Sequence, residues 1–229
     1  MLAQTIIITG GFGALGRVVA RAFAQQGHRV ARVDFAPTAP DSVDGMIDLP
    51  STDLTDPHAC AQAIDEIKAR FGSVDVLVNI AGGFAWQTLE DGATETWQRL
   101  YAMNVLTCAT MIKAALPDLK ESGAGRIVNI GAGAAIHAAA GMGAYAASKA
   151  GVHRLTESLA AELADSSVTV NAILPSIIDT PTNRADMPDA DTSQWVQPAA
   201  VADAILFLAS EAARSINGAL LPVTRGTPA

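Results

Sequence analysis

The chain has few aromatic residues, few basic residues and only two cysteines, and each scarcity excludes a class of protein. Aromatics make up 5% of the 229 residues, and 15 Lys and Arg face 23 Asp and Glu, which gives a formal net charge of -8. Because phosphate recognition needs clustered cations, this balance argues against a nucleic-acid-binding protein. Cys60 and Cys108 lack CxxC spacing, which argues against a disulfide framework or a zinc site. We expect both to be buried thiols.

The sequence also shows no pattern typical of a targeting segment or a membrane-spanning segment. The sequence starts directly on a predicted strand, with no basic segment before an apolar stretch, and no apolar run approaches the length that spans a bilayer. We therefore expect a soluble, cytoplasmic protein with no membrane partner. Half of the residues are hydrophobic, which is enough for one sizeable core, so residues 1–229 are predicted to form a single domain.

Short aliphatic segments alternate with longer Ala-rich segments of helical period. The strand-like segments are QTIIITG, RVARVD, VDVLVNIAG, GRIVNIG, VTVNAIL and ALLPV, and the helical ones are ALGRVVARAFAQQG, 57–71, 94–119, 144–163 and one from Pro198. This alternation is typical of βαβ units. We predict an α/β fold: a single-domain, Rossmann-type, doubly wound parallel sheet of seven strands with helices on both faces. Ligands of such sheets bind beyond the carboxyl ends of the strands, and the polar loop at about 175–197 is expected to meet the substrate.

The segment TGGFGALG joins the first strand to the first helix. Gly11, Gly13 and Gly16 have the GxGxxG spacing that lets a backbone approach a pyrophosphate at a helix N-terminus, although a Gly-rich turn without a ligand is an alternative. The predicted cofactor-binding residues here are Gly10, Gly11, Phe12, Gly13, Ala14, Leu15 and Gly16. Arg17 contacts either a phosphate or only water.

Asp34 ends the second strand, where a carboxylate accepts hydrogen bonds from an adenosine ribose and repels a 2′-phosphate. No Lys or Arg follows it before Lys68, so NADH (NAD) is predicted in preference to NADPH (NADP). A solvated strand end is the alternative reading of this carboxylate.

Tyr145 and Lys149 lie four residues apart at the start of a predicted helix and so share one face. A nearby ammonium favours phenolate, which predicts that Lys149 lowers the pKa of Tyr145 from its ordinary value of about 10 towards that of a proton donor. On its own, YxxxK is also compatible with an incidental surface pair.

With these two motifs in place, the chain resembles the short-chain dehydrogenase/reductase family over essentially its whole length. The resemblance implies a nicotinamide cofactor, a small-molecule substrate, and a homodimer or homotetramer formed through the helices at 94–119 and 144–163. It implies that Tyr145 donates a proton, that Lys149 also holds the nicotinamide ribose, and that Asn104 supports Lys149 through a water. Further implied cofactor contacts are Asp53, Leu54, Asn79, Ala81, Gly82, Pro175, Ile178 and Thr180. Asp53 could equally be a helix cap, and Asn79 a turn residue.

Two longer stretches, GMGAYAASKAGVHRLTESLA and LPSIIDTPTNRADMPDADTSQW, resemble the dihydropteridine reductase branch of that family. Relatives in this branch likewise lack the serine thirteen residues before the tyrosine, at the position of Ala132. This predicts NADH-dependent transfer of hydride to an activated quinonoid ring. One alternative is a short-chain alcohol dehydrogenase or ketoreductase acting on a small carbonyl compound, and another is a catalytically inactive, nucleotide-sensing binding protein.

Four residues are predicted to line the substrate site: Ala132, His137, Trp86 and Trp195. His137 either faces the substrate or is a solvated loop histidine. The two tryptophans form an aromatic wall for a flat ring or merely cover an edge of the core. His153 shares the face of Tyr145 or packs against a neighbour.

Overall fold

Seven parallel strands form the centre of the chain in the computed structural model, which describes residues 3–41, 43 and 45–225. The strands are β1 (Thr5–Thr9), β2 (Arg29–Val33), β3 (Met46–Leu49), β4 (Val76–Asn79), β5 (Arg126–Ile130), β6 (Thr169–Pro175) and β7 (Leu220–Val223). They are ordered β3-β2-β1-β4-β5-β6-β7. The chain leaves β1 towards one edge and returns at β4 to build towards the other, so a crevice forms where the direction reverses. The predicted fold class is confirmed.

The central strands are continuous apolar segments because helices cover both faces of a parallel sheet. All residues of β1, β4, β5 and β6 are buried. The register aligns Thr9 with Asn79, and Asn79 with Asn129, so three polar residues lie at one level, at or next to the ends of neighbouring strands. The sequence pattern thereby places its polar strand ends at the carboxyl edge of the sheet.

Helices pack on both faces of the sheet. They are α1 (Ala14–Gln25), α2 (Pro57–Phe71), α3 (Glu95–Tyr101), α4 (Thr107–Glu121), α5 (Gly143–Glu162), α6 (Pro181–Asp186) and α7 (Pro198–Ala209). Apolar residues of α2, α4 and α5 form one core layer, and those of α1 and α7 form the other. Cys60 and Cys108 are buried free thiols in the first layer, as expected.

Two elements were not located from the sequence. Strand β3 lies at the edge of the sheet and pairs only with β2. Its four residues are too few to show a recognisable hydrophobic pattern. Helix α6 lies inside the predicted polar loop, although Thr180 caps it by accepting from the Asn183 N–H and Pro181 opens it. Both are ordinary start signals of a helix.

A π-helical turn, Ala102–Leu106, joins α3 to α4. The helical stretch Glu95–Glu121 is long and apolar enough to cross a bilayer by length and composition, with a mean hydropathy of 1.2, contrary to the expectation from the sequence. Its inner face, including Met111, Ala115 and Leu119, is fully buried in the first core layer. This face of the stretch therefore packs in the core.

Candidate active site

A cleft with a volume of about 810 Å³ opens at the carboxyl ends of β1, β2 and β4. Twelve predicted site residues line it: Gly10, Phe12, Gly13, Ala14, Leu15, Gly16, Asp34, Asp53, Leu54, Ala81, Gly82 and Thr180. Gly11 is not among them, because it packs behind the loop, where an added Cβ would lie 2.6 Å from the Cβ of Arg32. The cleft therefore occupies the switch point at which doubly wound sheets bind dinucleotides.

The glycine loop is held close to the segment after β4. The Thr9 hydroxyl accepts hydrogen bonds from the N–H groups of Ile80 and Ala81, at 3.1 and 3.2 Å. Gly10 has a φ of +64°, and an added Cβ would lie 2.8 Å from the Ala81 nitrogen, so only glycine fits. Gly13 is different, because its added Cβ would meet only the Gly10 carbonyl, at 3.4 Å. Glycine at 13 instead keeps space open before the N-terminus of α1, which fits a pyrophosphate.

Asp34 lies on the cleft wall just after β2. Its Oδ2 accepts from the Phe12 N–H at 2.9 Å, and its Oδ1 accepts from the Ala36 N–H at 3.0 Å. These bonds fix the carboxylate beside the glycine loop. Each oxygen has a second lone pair, so the group keeps acceptor capacity for ribose hydroxyls.

Asp53 is exposed at the same wall, where its Oδ1 accepts from both the N–H and the hydroxyl of Thr55. It is not the helix cap that was its alternative role. That role belongs to Asp56, whose side chain accepts from the His58 N–H at the start of α2.

Asn79 is not among the residues that line the cleft. Its Nδ2 donates to Asn129 Oδ1 at 2.9 Å, and Asn129 Nδ2 donates to the Thr156 hydroxyl at 2.9 Å. The thiol of Cys108 also donates to Asn129 Oδ1. The side chain thus belongs to a buried polar network between the sheet and α5, while its neighbours Ala81 and Gly82 reach the cleft.

Tyr145 and Lys149 are on one face of α5, as the spacing predicted, but the electrostatics of the free protein differ from the expectation. Burial raises the pKa of Tyr145 to about 12 and lowers that of Lys149 to about 8. Lys149 Nζ donates to the Ile130 carbonyl at 2.7 Å instead of pairing with the phenol. The expected lowering of the tyrosine pKa by the lysine is therefore absent from this arrangement, because desolvation dominates both groups.

Asn104 lies in the π-helical turn, a distortion that is frequent at functional sites. Its Oδ1 accepts from the Gly83 N–H at 2.9 Å, and its Nδ2 donates to the Gly83 carbonyl and the Ser148 hydroxyl. An added Cβ on Gly82 would lie 2.5 Å from Asn104 Oδ1 and 3.4 Å from Lys149 Nζ. Gly82 therefore brings the cleft wall against both polar groups.

Ala132 is buried at the end of β5, and the donors around it are already used. Its own N–H donates to His153 Nε2 at 3.3 Å, and the Gly131 N–H donates to the Ile173 carbonyl at 2.9 Å. His137 is exposed on the following loop. His153 is thus a buried acceptor packed against β5, and burial lowers its pKa.

Aromatic side chains surround Tyr145 unevenly. Phe84, which was not identified from the sequence, packs edge-to-face on Tyr145, with ring centroids 4.9 Å apart. Trp86 is 62% exposed, and its indole N–H donates to the Ala140 carbonyl. This bond joins the loop after β4 to the loop before α5. Trp195 is only 4% exposed, which favours the core cover over the aromatic wall.

The remaining predicted contacts lie after β6. Pro175 ends that strand in the core, Ile178 bridges Val196, and neither lines the cleft. Thr180 does line it. Further lining residues were not predicted as cofactor contacts: Phe35, Ala36, Thr52, Thr55, Ile80, Arg99, Ala102, Met103 and Thr107. Most follow a strand end or lie on the helix facing the glycine loop, a placement that only the assembled sheet reveals.

A family model described as short chain dehydrogenase matches residues 4–191 of the chain. The chain belongs to the short-chain dehydrogenase family. It is 30% identical to the D-beta-hydroxybutyrate dehydrogenase of Rhizobium meliloti, over 95% of both chains. It is 33% identical to the cis-4-hydroxycyclohexanecarboxylate dehydrogenase of Sinomonas cyclohexanicum, over 97% of this chain and 96% of that one. The solved structure of ElxO with NADP bound matches 97% of each chain, with a TM-score of 0.88 and 27% identity.

For this short-chain dehydrogenase, the comparisons support an oxidoreductase with a nicotinamide cofactor, as the two main motifs predicted. They give no support to the narrower resemblance to the dihydropteridine reductase branch. The relatives named above are instead dehydrogenases of hydroxyl-bearing compounds, which fits the alcohol dehydrogenase or ketoreductase alternative better. The NADP in the similar structure leaves the predicted preference for NADH unsupported by comparison.

Proposed function

We propose that this short-chain dehydrogenase interconverts a hydroxyl and a carbonyl group on a small molecule, with NADH and NAD as the preferred cofactor pair. The observation that carries the proposal is the placement of Tyr145 and Lys149 on one face of α5, with Lys149 Nζ against the Gly82 wall of the cleft. Relatives that are named for the dehydrogenation of hydroxyl compounds support it.

Tyr145 is the group proposed to exchange a proton with the substrate oxygen. Because burial raises its pKa to about 12, the phenol is protonated at neutral pH, which is the state a proton donor needs. The bound nicotinamide would supply or accept the hydride. Lys149 would hold the nicotinamide ribose, and Asn104 would support that end of the cleft through its bonds to Gly83 and Ser148.

The preference for NADH rests on Asp34. Its carboxylate is fixed beside Phe12 at the position where a ribose would lie, and it would repel a 2′-phosphate. We propose that the site distinguishes NADH from NADPH by charge repulsion at this position and not by shape.

A second candidate substrate is an activated quinonoid ring, as in dihydropteridine reduction, and one observation favours it. Ala132 supplies no side-chain donor, and the N–H groups of Gly131 and Ala132 already have acceptors. Removing one preorganised donor from a developing oxyanion costs about 10²–10³ in rate. A conjugated, electron-poor ring places less charge on oxygen, so it tolerates that gap better than a simple ketone does.

The proposed assembly is a homodimer or homotetramer in which helices of the 94–119 and 144–163 segments meet those of another copy. Trp97, Tyr101 and Leu106 are 37%, 49% and 43% exposed on the first of these segments, and we propose that the other copy covers these large side chains. A cytoplasmic location and substrate contact by the 175–197 segment are also part of the proposal.

Oxidation of NADH, followed by absorbance, tests the function against three acceptors: a cyclic ketone, a small acyclic keto acid and a quinonoid dihydropterin. Turnover of a ketone by the wild type, with a loss of roughly 10²-fold or more in Tyr145→Phe, supports the main proposal. Tyr101→Phe is the matched control, because it removes the same hydroxyl from an exposed tyrosine on another helix and keeps the ring that the proposed interface uses, so it should keep full activity.

Two other results decide between the readings. Fast turnover of the dihydropterin with negligible ketone turnover would replace the main proposal by the second candidate. Tight NADH binding without turnover of any acceptor would instead favour a nucleotide-sensing protein.

A further inference from the structure

Arg32 is a fully buried cation next to the nucleotide cleft that the proposed chemistry does not use. Its side chain is 1% exposed, and all three guanidinium nitrogens are bonded. Nε and one terminal nitrogen donate to the two oxygens of Asp48, at 2.7 and 2.8 Å. The terminal nitrogens also donate to the carboxylate and the carbonyl of Asp41, at 2.6 and 2.7 Å.

This cluster (Arg32, Asp41 and Asp48) adjoins the wall that carries Asp34. Arg32 is the penultimate residue of β2, and Asp34 directly follows the end of that strand. The guanidinium carbon packs 5.4 Å from the centre of the Phe12 ring, and the Phe12 N–H donates to Asp34 Oδ2. Phe12 lines the cleft whereas Arg32 does not, so one residue separates the buried cation from the ribose position.

The charges explain why this cation does not serve a phosphate. The carboxylates of Asp41 and Asp48 both face the Arg32 guanidinium. Asp41 also forms an ion pair with Arg21, an exposed residue of α1. The bidentate pair with Asp48 is a strong arrangement for arginine, because both donors of one edge are satisfied at once. A 2′-phosphate would therefore meet the carboxylate of Asp34 while the guanidinium of Arg32 stays engaged behind Phe12.

We propose that Asp48 and Asp41 are a second specificity determinant for the cofactor, which rejects a 2′-phosphorylated nucleotide by holding Arg32 away from the cleft. This inference rests on the NADH preference of the proposed function. It differs from simple repulsion by Asp34 in one respect: removing Asp34 alone leaves Arg32 tied, so the gain in NADPH affinity stays small until Asp48 is also neutralised.

Fluorescence titration of NADH and NADPH, without substrate, tests the proposal in the wild type, Asp34→Ser and Asp34→Ser/Asp48→Asn. We expect the double variant to bind NADPH at least roughly tenfold more tightly than Asp34→Ser, since one charge-assisted hydrogen bond contributes about that factor. Adding Arg32→Met to the double variant should abolish the gain. Asp34→Ser/Asp118→Asn is the matched control, because it removes the same charge from a carboxylate paired with Lys68 on another helix.

Several results would overturn the inference. Full NADPH binding by Asp34→Ser alone, an equal gain in the Asp118 control, or a gain that survives Arg32→Met would each show that Arg32 is not the latent partner. If Asp48→Asn lowers the affinity for NADH, Asp41→Asn is used in its place in the double variant. If neither double variant gains affinity for NADPH, the inference is also rejected. If the wild type binds NADPH as tightly as NADH, the NADH preference of the proposed function is refuted. That result is distinct from the variant results above, which refute only the role of Arg32.

Discussion

Replacement of Lys149 by Met should stabilise the free protein at neutral pH while abolishing its activity. The Lys149 residue is 6% exposed, and its ammonium donates its one hydrogen bond to the Ile130 carbonyl. Among the described residues it has no ion-pair partner. Burial lowers its pKa from 10.5 to about 8. At 1.36 kcal/mol per pKa unit, that difference of about 2.5 units corresponds to roughly 3 kcal/mol of unfavourable free energy for the charged form.

The net gain is smaller than that penalty. Met has a similar length and no charge, but it leaves the Ile130 carbonyl without its donor, which costs about 1–2 kcal/mol. A net stabilisation of about 1 kcal/mol, or a few degrees in Tm, follows for a chain of this size. Turnover and cofactor binding should fall, since Lys149 is the proposed holder of the nicotinamide ribose. Stability and activity therefore change in opposite directions.

The pH dependence checks the cause. The folded pKa of Lys149 is depressed, so its penalty is absent above the unfolded value of about 10.5 and is fully present once the pH falls below about 8. The free energy of unfolding of the wild type should rise between pH 8 and 10, and the advantage of Lys149→Met should shrink over the same range. Tyr145 acts in the opposite sense, because its pKa is raised to about 12, but its loss of stability begins only above about pH 10.

Urea unfolding of both proteins at pH 7 and pH 10 measures this difference directly. Lys149→Arg is the matched control, because it keeps a cation that burial cannot readily neutralise, and it should be less stable than the wild type at both pH values. Destabilisation by Lys149→Met at pH 7, with an unchanged pH slope, would show that the buried ammonium carries no net penalty and would refute this reasoning.

Three further predictions concern the cofactor, the substrate and the assembly. NADH should bind the wild type more tightly than NADPH in a fluorescence titration, and equal affinities would mean that Asp34 does not lie at the ribose. Ala132→Ser should raise ketone reduction, by up to about 10²-fold, with little gain on a quinonoid dihydropterin, because only the ketone needs an added donor; an equal gain on both would reject that explanation. Light scattering at micromolar concentration should give at least a dimer, and Leu106→Glu should weaken it, whereas a wild-type monomer would remove the interface at Leu106.

The sequence predicted those features that depend on local period and spacing. Residues 57–71 form α2 with both ends as predicted, because Pro57 opens the helix and Gly72 ends it in the left-handed conformation. The GxGxxG segment and Asp34 share one cleft because strand ends of a parallel sheet meet at one edge. These results needed no knowledge of packing beyond the alternation of strands and helices.

Features that depend on burial were not predictable in the same way. Spacing put Tyr145 and Lys149 on one face, yet it could not show that desolvation would move their pKa values apart in the free protein. Asn79 was placed correctly at a strand end, but its side chain could turn to the cleft or to the network of Asn129 and Thr156, and only the assembled neighbours decide this. Arg32 was overlooked because its partners, Asp41 and Asp48, lie on a loop and an edge strand that the sequence pattern did not locate.

The position of Ala132 shows how the two kinds of information combine. The sequence revealed a missing hydroxyl, and the structure shows that the backbone cannot replace it, since the N–H of Ala132 is bonded to His153 and that of Gly131 to the neighbouring strand. A substitute donor would therefore have to come from outside this segment or from the substrate itself. His153 cannot fill the role while its Nε2 accepts from Ala132, because that nitrogen then carries no proton. The missing donor is thus a property of the whole end of β5, and under the proposed function we expect it to limit which carbonyl groups the site can activate.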